Sequence, residues 1–198
     1  MIVLNFQILV FLILIVILLE RFFEIVKTKR IETCKTYNTY STYLLTLSYL
    51  LLNTIIIVEL INRKNVNVYL LVTGVLIYFV STSYRRKAIK TLGMYFRLNI
   101  AFTQDHKLIT SGIYAIVRHP YYFGAILEVV AIPIIFNSFN GVIFCLVVNI
   151  PLWVHRVTIE EKVLVDFFGD AYLQYSRSVP LIFPIKNFAQ KISSVLQR

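Results

Sequence analysis

Residues 118–162, "RHPYYFGAILEVVAIPIIFNSFNGVIFCLVVNIPLWVHRVTIEEK", decide the fold. They contain two apolar runs, 122–136 and 142–154, joined by the short polar turn "NSFNG". Neither run alternates apolar with polar residues as barrel strands would, and a helix satisfies its own backbone hydrogen bonds in hydrocarbon. The pattern therefore predicts a short helical hairpin, either tilted or not fully crossing the membrane, whose two ends emerge on the same side.

The rest of the chain extends this membrane interpretation. Of its 198 residues, 58% are hydrophobic and the mean hydropathy is +0.74, which is too apolar for a soluble domain of this size. Three more apolar runs, 2–19, 43–61 and 66–84, are long enough to span. No Lys or Arg precedes the first run and no small-residue cleavage site follows it, so we interpret it as a retained span rather than a signal peptide. We predict an all-α integral membrane protein with about five transmembrane helices.

The distribution of positive charge predicts the orientation. Segments 20–42, 85–121 and 155–198 hold 5, 7 and 6 of the 20 Lys and Arg residues, and the turn at 62–65 holds the other two. Lys and Arg accumulate in cytoplasmic loops, so we expect a multi-pass protein of the cell membrane with its N-terminus outside. Topology thus explains the net charge of +10, and no motif for a nucleic-acid partner is present. The two cysteines show no metal or disulfide spacing.

A first polar group stands where the hairpin begins. Pro120 suits the first turn of a helix, which places His119 at a helix N-terminus that favours an anion. Arg118 beside it can fork onto a carboxylate or a phosphate. The alternative is an ordinary membrane boundary, with a snorkelling arginine and an interfacial belt that includes Tyr114 and Tyr122.

A second polar group follows the hairpin. Arg156 and Glu160 are four residues apart on one helix face, Glu161 adds a second carboxylate, and Gly169 suits the end of that helix. These charges would form a solvated face if they paired only with their neighbours. The hairpin, however, brings this group back toward residues 118–120, so that both polar groups are predicted to meet at one mouth.

Glu128 is a carboxylate inside a predicted span, about nine residues or roughly 13 Å from the start of its helix. Ionisable groups in a membrane are costly and are candidates for function by default. Two interpretations are open: a functional carboxylate, or a protonated side chain that donates a hydrogen bond to a neighbour such as Asn149.

Two quoted stretches carry a resemblance to a known family. "HKLITSGIYAIVRHPYYFG" (106–124), a short hairpin and "RVTIEEKVLVDFFGDAYLQYSRSVPLIFP" (156–184) together resemble the isoprenylcysteine carboxyl methyltransferase family. The similarity covers residues 90–185 and has two separated motifs in the right order. It implies an integral-membrane methyltransferase that uses S-adenosylmethionine at the cytosolic side, with no metal. Residues 1–198 would form one membrane domain, with three spans in 1–84 and a catalytic half in 85–198.

The resemblance also implies which residues form the site. The expected cofactor-binding residues are Gly112, Tyr114, His119, Pro120, Tyr122, Glu160 and Glu161, and the catalytic candidates are Arg118, Glu160 and Arg156. Glu128 is a further catalytic candidate, not from the resemblance but as an ionisable group inside a span. The residue chemistry agrees, since Arg118, His119 and a helix N-terminus suit the carboxylate of S-adenosylmethionine. The glycines contain no G-x-G pair, so no Rossmann fold is expected.

The methyl acceptor stays open between chemistries. A substrate carboxylate would be held by Arg118 or Arg156, whereas a hydroxyl, enol or thiol would need a base such as Glu128, Glu160 or His119. We expect a lipophilic small molecule or lipid, methylated on oxygen, together with contacts to membrane lipids. Two alternatives remain: a membrane reductase of lipids or sterols that uses a nicotinamide cofactor, and a non-catalytic scaffold that binds anionic lipid.

Overall fold

The computed structural model describes residues 2–27, 35–62, 67–103 and 105–183. Within these ranges the chain forms the following elements: α1 Ile2–Lys27, β1 Lys35–Tyr37, α2 Thr39–Asn62, α3 Val68–Leu92, β2 Ile100–Phe102, α4 Pro120–Ile135, α5 Phe139–Phe144, α6 Ile150–Phe168 and α7 Asp170–Ser178. Cys34, the positive charges of the turn at 62–65 and the residues after 183, which our interpretations used, lie outside the described ranges.

Three helical segments of the described chain are long and apolar enough to cross a membrane. They are Thr39–Asn62, Val68–Tyr95 and Phe139–Phe168. The apolar helix α4 is shorter, with 16 residues. The protein is therefore an all-α integral membrane protein, as predicted, to which β1 and β2 add a small antiparallel ribbon that pairs Thr36 with Ala101. A count of five spans stays a prediction.

Two helices are longer than the sequence indicated. Helix α3 continues past the expected end at Tyr84 to Leu92, because Arg85 is buried among carboxylates and need not leave the helix for water. The expected short second arm of the hairpin is wrong in length. Helix α5 passes through a π-helical turn, Cys145–Asn149, into α6, which gives a continuous helix over Phe139–Phe168. A helix of that length reaches roughly 45 Å, so one end projects beyond a hydrocarbon core of about 30 Å.

The predicted ends of these helices are confirmed. Pro120 is the first residue of α4, and His119 is its N-cap. Helix α6 ends at Gly169, whose φ of 56° suits a residue without a side chain. At the turn of the hairpin, the Ser138 hydroxyl accepts a hydrogen bond from the Gly141 N–H at 3.0 Å and so caps α5.

Helices α3 and α4 pack closely because small residues lie between them. A Cβ built on Gly124 would lie 2.7 Å from the Arg85 Cγ and 2.8 Å from the Ser81 carbonyl oxygen. One built on Gly74 would lie 2.6 Å from the Ile135 backbone nitrogen. The Ser81 hydroxyl donates to the Gly124 carbonyl at 2.8 Å, which ties the two backbones together. Close approach through small residues is a common basis of helix association in membranes.

Four side chains of alternating charge form a closed ring between α1, α3 and α4. Glu128 contacts Arg21 at 2.9 Å and Arg85 at 3.0 Å. Glu24 completes the ring, at 3.0 Å from Arg21 and 2.9 Å from Arg85. Arg85 and Glu128 are fully buried, and the ring as a whole is neutral when all four groups are ionised. We refer to Arg21, Glu24, Arg85 and Glu128 as the charge ring.

We expect Glu128→Gln to lower the free energy of unfolding by about 3–5 kcal/mol, because it leaves one buried arginine charge uncompensated. The double variant Arg21→Gln, Glu128→Gln restores neutrality and should lose less than the sum of the two single variants. The measurement is the thermal unfolding midpoint in detergent.

The matched control is Glu59→Gln. This carboxylate accepts from the Asn140 backbone N–H at 3.1 Å and has no arginine within ion-pair distance among the described residues, so we expect a small effect. Additive losses in the double variant would contradict the ring.

Candidate active site

A cleft opens where the start of α4 meets the end of α6. Its empty volume is about 800 Å³, including the open space at its mouth. Helix α7 and the loop between α3 and α4 supply the remaining walls. The lining includes five residues that were expected from the sequence, Tyr114, Arg118, His119, Tyr122 and Glu160. It also includes polar groups that were not expected, among them His106, Tyr172 and Tyr175. The two predicted polar groups therefore meet at one mouth.

Arg118 and His119 are held by a carboxylate that contacts their side chains and by two carbonyls that accept from their backbone N–H groups. The Arg118 guanidinium lies 2.7 Å from Glu161, and the His119 Nε2 lies 2.6 Å from the other oxygen of that carboxylate. Their backbone N–H groups donate to the Pro180 carbonyl at 2.9 Å and the Leu181 carbonyl at 3.0 Å, in the segment that follows α7. The carboxylate and the backbone bonds together fix the direction in which both side chains point.

Tyr122 connects the second polar group to α4. Its hydroxyl forms a short hydrogen bond to Glu160 and accepts one from the Arg156 Nε at 3.1 Å. The other Arg156 nitrogens donate to Ser41 at 2.7 Å, to Thr42 at 2.9 Å and to a backbone carbonyl of the α3–β2 loop. Arg156 is thus occupied by protein partners and orients Tyr122, which makes it a positioning residue more than a free ligand.

Two tyrosines of α7, which sequence reasoning missed, complete this wall. The Tyr175 hydroxyl donates to the Tyr114 carbonyl at 2.6 Å, and the Tyr172 hydroxyl bonds to Glu161. Burial and the Glu161 carboxylate hold the pKa of Tyr172 above its usual value, so this hydroxyl keeps its proton. The sequence feature that could have identified them is the three-residue spacing of Tyr172 and Tyr175, which places both side chains on one face of a short helix. Tyr114 is itself 8% exposed.

His106 stands in an aromatic cluster at the other end of the cleft. Its ring centroid lies 4.8 Å from that of Tyr95, 4.9 Å from Phe102 and 6.0 Å from Phe168. Burial, helped by the charge of Arg97, lowers the pKa of His106 to about 4, so the imidazole is neutral at pH 7. The cleft therefore has one end with the Arg118 and Glu160 charges and another end that is aromatic and lies near Arg97.

Three expected site residues, Gly112, Pro120 and Glu161, do not line the cleft themselves. Gly112 adopts a φ of 62° in the turn before α4, and Pro120 is buried at the start of the helix. Glu161 acts through Arg118 and His119. Tyr114 and Tyr122 line the cleft and are each 8% exposed, so they pack inside the protein and the alternative of an interfacial belt is wrong for both.

Glu128 is separated from the cleft by its partners in the charge ring. The interpretation in which a protonated Glu128 bonds to Asn149 is wrong, because Glu128 pairs with two arginines while Asn149 contacts the Ser48 hydroxyl at 3.1 Å. The ion pairs of Glu128 could have been predicted, because a buried carboxylate needs cationic partners and the sequence offers Arg21 and Arg85.

A second cavity adjoins the cleft on the far side of Tyr121 and Tyr122, which line both. Its empty volume is about 780 Å³, including open space at its mouth. Apart from Arg21 and Arg156, its lining is uncharged and includes Leu45, Val129, Asn149 and Trp153. We call this space the inner cavity. It lies among α2, α4 and α6, which would face hydrocarbon, so its contents would be lipophilic.

The cleft offers a hydrogen-bond donor and aromatic faces of the kinds that S-adenosylmethionine needs. The Arg118 Nε is buried and has no hydrogen-bond partner among the described residues, which leaves a donor for a carboxylate. The aromatic end around His106 offers flat apolar faces of the kind that an adenine ring stacks on.

Comparison with known proteins agrees with the resemblance found in the sequence. Residues 70–166 match the model of the isoprenylcysteine carboxyl methyltransferase (ICMT) family. The resemblance is confirmed. The match includes Arg118, His119, Glu160 and Glu161, which form the charged end of the cleft.

Individual relatives agree with the family match. The protein-S-isoprenylcysteine O-methyltransferase of Schizosaccharomyces pombe is 39% identical over 82 residues, which are 41% of this chain and 35% of that protein. The B form of Arabidopsis thaliana is 35% identical over 106 residues, 52% of this chain and 53% of that protein. The human enzyme of the same name is 34% identical over 119 residues, 59% and 42% respectively. The matches thus span between about a third and half of these relatives.

A solved structure shares the fold. The eukaryotic intramembrane Ras methyltransferase ICMT superposes with a TM-score of 0.59 at 26% sequence identity. The superposition covers 75% of this chain and 54% of that one. The fold is therefore shared beyond residues 70–166.

We expect the unfolding midpoint to fall between pH 7 and pH 5 partly through His106. The unfolded chain gains a proton on this imidazole near pH 6.5, whereas the folded pKa is about 4, so lower pH favours the unfolded state. His106→Phe should reduce this loss. His155→Phe, at an exposed histidine, is the control and should leave it unchanged. An equal loss in wild type and His106→Phe would assign the pH dependence to the carboxylates instead.

Proposed function

We propose that the protein is an S-adenosylmethionine-dependent methyltransferase that methylates a carboxylate oxygen of a lipophilic, isoprenylcysteine-like acceptor. The observation that carries this proposal is the junction of two spaces at Tyr121 and Tyr122, one with a charged end and an aromatic end, the other largely apolar. Transfer between a polar cofactor and a lipid requires such a junction, where both reactants are aligned and water is excluded.

Arg118 and His119 would hold the cofactor at the charged end. Glu161 orients both side chains, and the free Nε of Arg118 would donate to the cofactor carboxylate. Glu160, half-buried beside Tyr122, would accept from the ammonium or the ribose. When bound, S-adenosylmethionine would supply an electrophilic methyl group on its sulfonium: a bond from an acceptor oxygen to the methyl carbon would form as the bond from that carbon to sulfur breaks, which would leave a neutral thioether.

A carboxylate acceptor suits the site better than a hydroxyl because it needs no base. At neutral pH a carboxylate is already ionised, whereas a hydroxyl must lose a proton. The three base candidates are all engaged: Glu128 by two arginines, His119 by Glu161, and Glu160 by the Tyr122 hydroxyl. The side chains therefore bind and orient, and proton removal has no free group to perform it among these candidates.

The cleft would face the cytosol. The described segments at the cleft end of the molecule, 85–103, 105–121 and 155–183, hold 10 of the 20 Lys and Arg residues. By the positive-inside rule this end stays on the cytoplasmic side.

The proposal is tested with purified protein in nanodiscs, methyl-labelled S-adenosylmethionine and N-acetyl-S-farnesylcysteine. We expect labelled product that releases volatile methanol in base, as a methyl ester does and a methyl ether does not. We expect Glu161→Gln to weaken cofactor binding, measured by calorimetry, by roughly tenfold or more, since a charge-assisted contact is worth about 1.5–3 kcal/mol.

The control is Asp170→Asn, an exposed carboxylate on α7 outside the cleft lining, which should bind the cofactor as wild type does. Cofactor binding without base-labile product from this acceptor would contradict methylation of its carboxylate. Binding of a nicotinamide cofactor in place of S-adenosylmethionine would reject the proposal in favour of a reductase.

A further inference from the structure

The inner cavity contains one buried polar group that no described residue satisfies. Asn149 is 1% exposed, lies at the end of the π-helical turn and lines the cavity. Its Nδ2 has no hydrogen-bond partner among the described residues. Turns of this kind occur frequently at functional sites.

The missing partner does not depend on which way the amide is placed. The Asn149 Oδ1 lies 3.1 Å from the Ser48 hydroxyl, which also contacts the Leu45 carbonyl at 2.9 Å. If the amide were turned over, its nitrogen would donate to Ser48 and its oxygen would be left alone instead. One polar atom of Asn149 is unpaired in either arrangement.

The neighbouring hydroxyls are already engaged. Thr46 donates back to the Thr42 carbonyl at 2.9 Å, and the Tyr49 hydroxyl points to Glu128 at 3.4 Å. An unpaired buried amide costs about 1–3 kcal/mol. A ligand that supplies the missing hydrogen bond recovers that free energy, and a ligand of pure hydrocarbon does not.

The position of Asn149 along its helix determines how far from the cleft a ligand would form this hydrogen bond. Asn149 precedes Arg156 by seven residues along the same continuous helix, so it lies roughly 10 Å deeper than the junction with the cleft. An acceptor whose carboxylate lies at the junction would reach Asn149 well along its lipid tail.

We propose that Asn149 is a specificity-determining residue and that the preferred acceptor carries a hydrogen-bonding oxygen, a hydroxyl or carbonyl, roughly 10 Å from its methylated carboxylate. This inference rests on the proposed function and narrows it. Among isoprenylcysteine-like acceptors, one with an oxygen at that distance along its tail is the better substrate, and one with a plain prenyl or alkyl chain is the poorer.

The test uses two S-alkyl N-acetylcysteines of equal chain length. One carries a hydroxyl about 10 Å from the carboxyl carbon and the other has a methylene at that position. A hydroxyl pairs with Asn149 in either amide orientation. For each protein we would measure the ratio of kcat/KM for the hydroxylated over the plain compound. Because each protein is compared with itself, a loss of folded protein cancels from this ratio.

We expect Asn149→Leu to lower that ratio roughly tenfold relative to wild type, the effect of one hydrogen bond of about 1.4 kcal/mol. The matched control is Asn53→Leu. Asn53 is a buried asparagine of α2 that donates to the Tyr49 carbonyl at 2.7 Å and does not line the inner cavity, so the ratio should stay at its wild-type value.

A binding measurement separates this inference from the proposed function. Trp153 lines the inner cavity and is the single tryptophan of the chain, so its fluorescence reports occupancy without methyl transfer. Tighter binding of the hydroxylated compound to wild type but not to Asn149→Leu would support the role of Asn149 even if no acceptor were methylated. Equal ratios, or equal affinities, in wild type and Asn149→Leu would overturn it.

Discussion

The charge ring is the interaction on which the rest of the structure depends. Arg21, Glu24, Arg85 and Glu128 come from three helices, and each carboxylate contacts two arginines. Burial of four separate charges in a medium of low dielectric would be prohibitive, whereas an alternating ring keeps every charge next to two opposite ones. The ring therefore specifies how α1, α3 and α4 are placed relative to one another.

Placement of α4 in turn determines the cleft. Its first turn carries His119, and Tyr122 follows one turn later, so both face the end of α6 that projects beyond the hydrocarbon. Tyr121, between the cleft and the inner cavity, bonds directly to Glu24 at 2.9 Å and to Arg21 at 3.2 Å. Hydrogen bonds of Tyr121 thus join the charge ring directly to the junction between the two spaces. The candidate site is therefore in direct contact with the group that holds the helices together.

Much of the site could be predicted from the sequence because its residues are adjacent in the chain or lie on one helix face. Arg118, His119 and Pro120 are consecutive, Arg156 and Glu160 share a face of α6, and a hairpin must return its second arm to the first. What escaped prediction depends on contacts across the fold. The partners of Glu128 lie 107 and 43 residues earlier in the chain, and the donors of Arg156 are consumed by α2 and a distant loop. Pattern alone does not say which of several buried polar groups will meet.

The sequence by itself determined the membrane class, the helical content, the start of α4 and the end of α6, since these follow from hydropathy, proline and glycine acting over a few residues. Only the tertiary structure decided that Glu128 belongs to an ion ring, that Arg156 orients Tyr122, and that Asn149 keeps one polar atom unpaired in an apolar cavity. The physical reason is the same in each case. The cost or benefit of a buried polar group depends on its partners, and only packing brings those partners within hydrogen-bond distance.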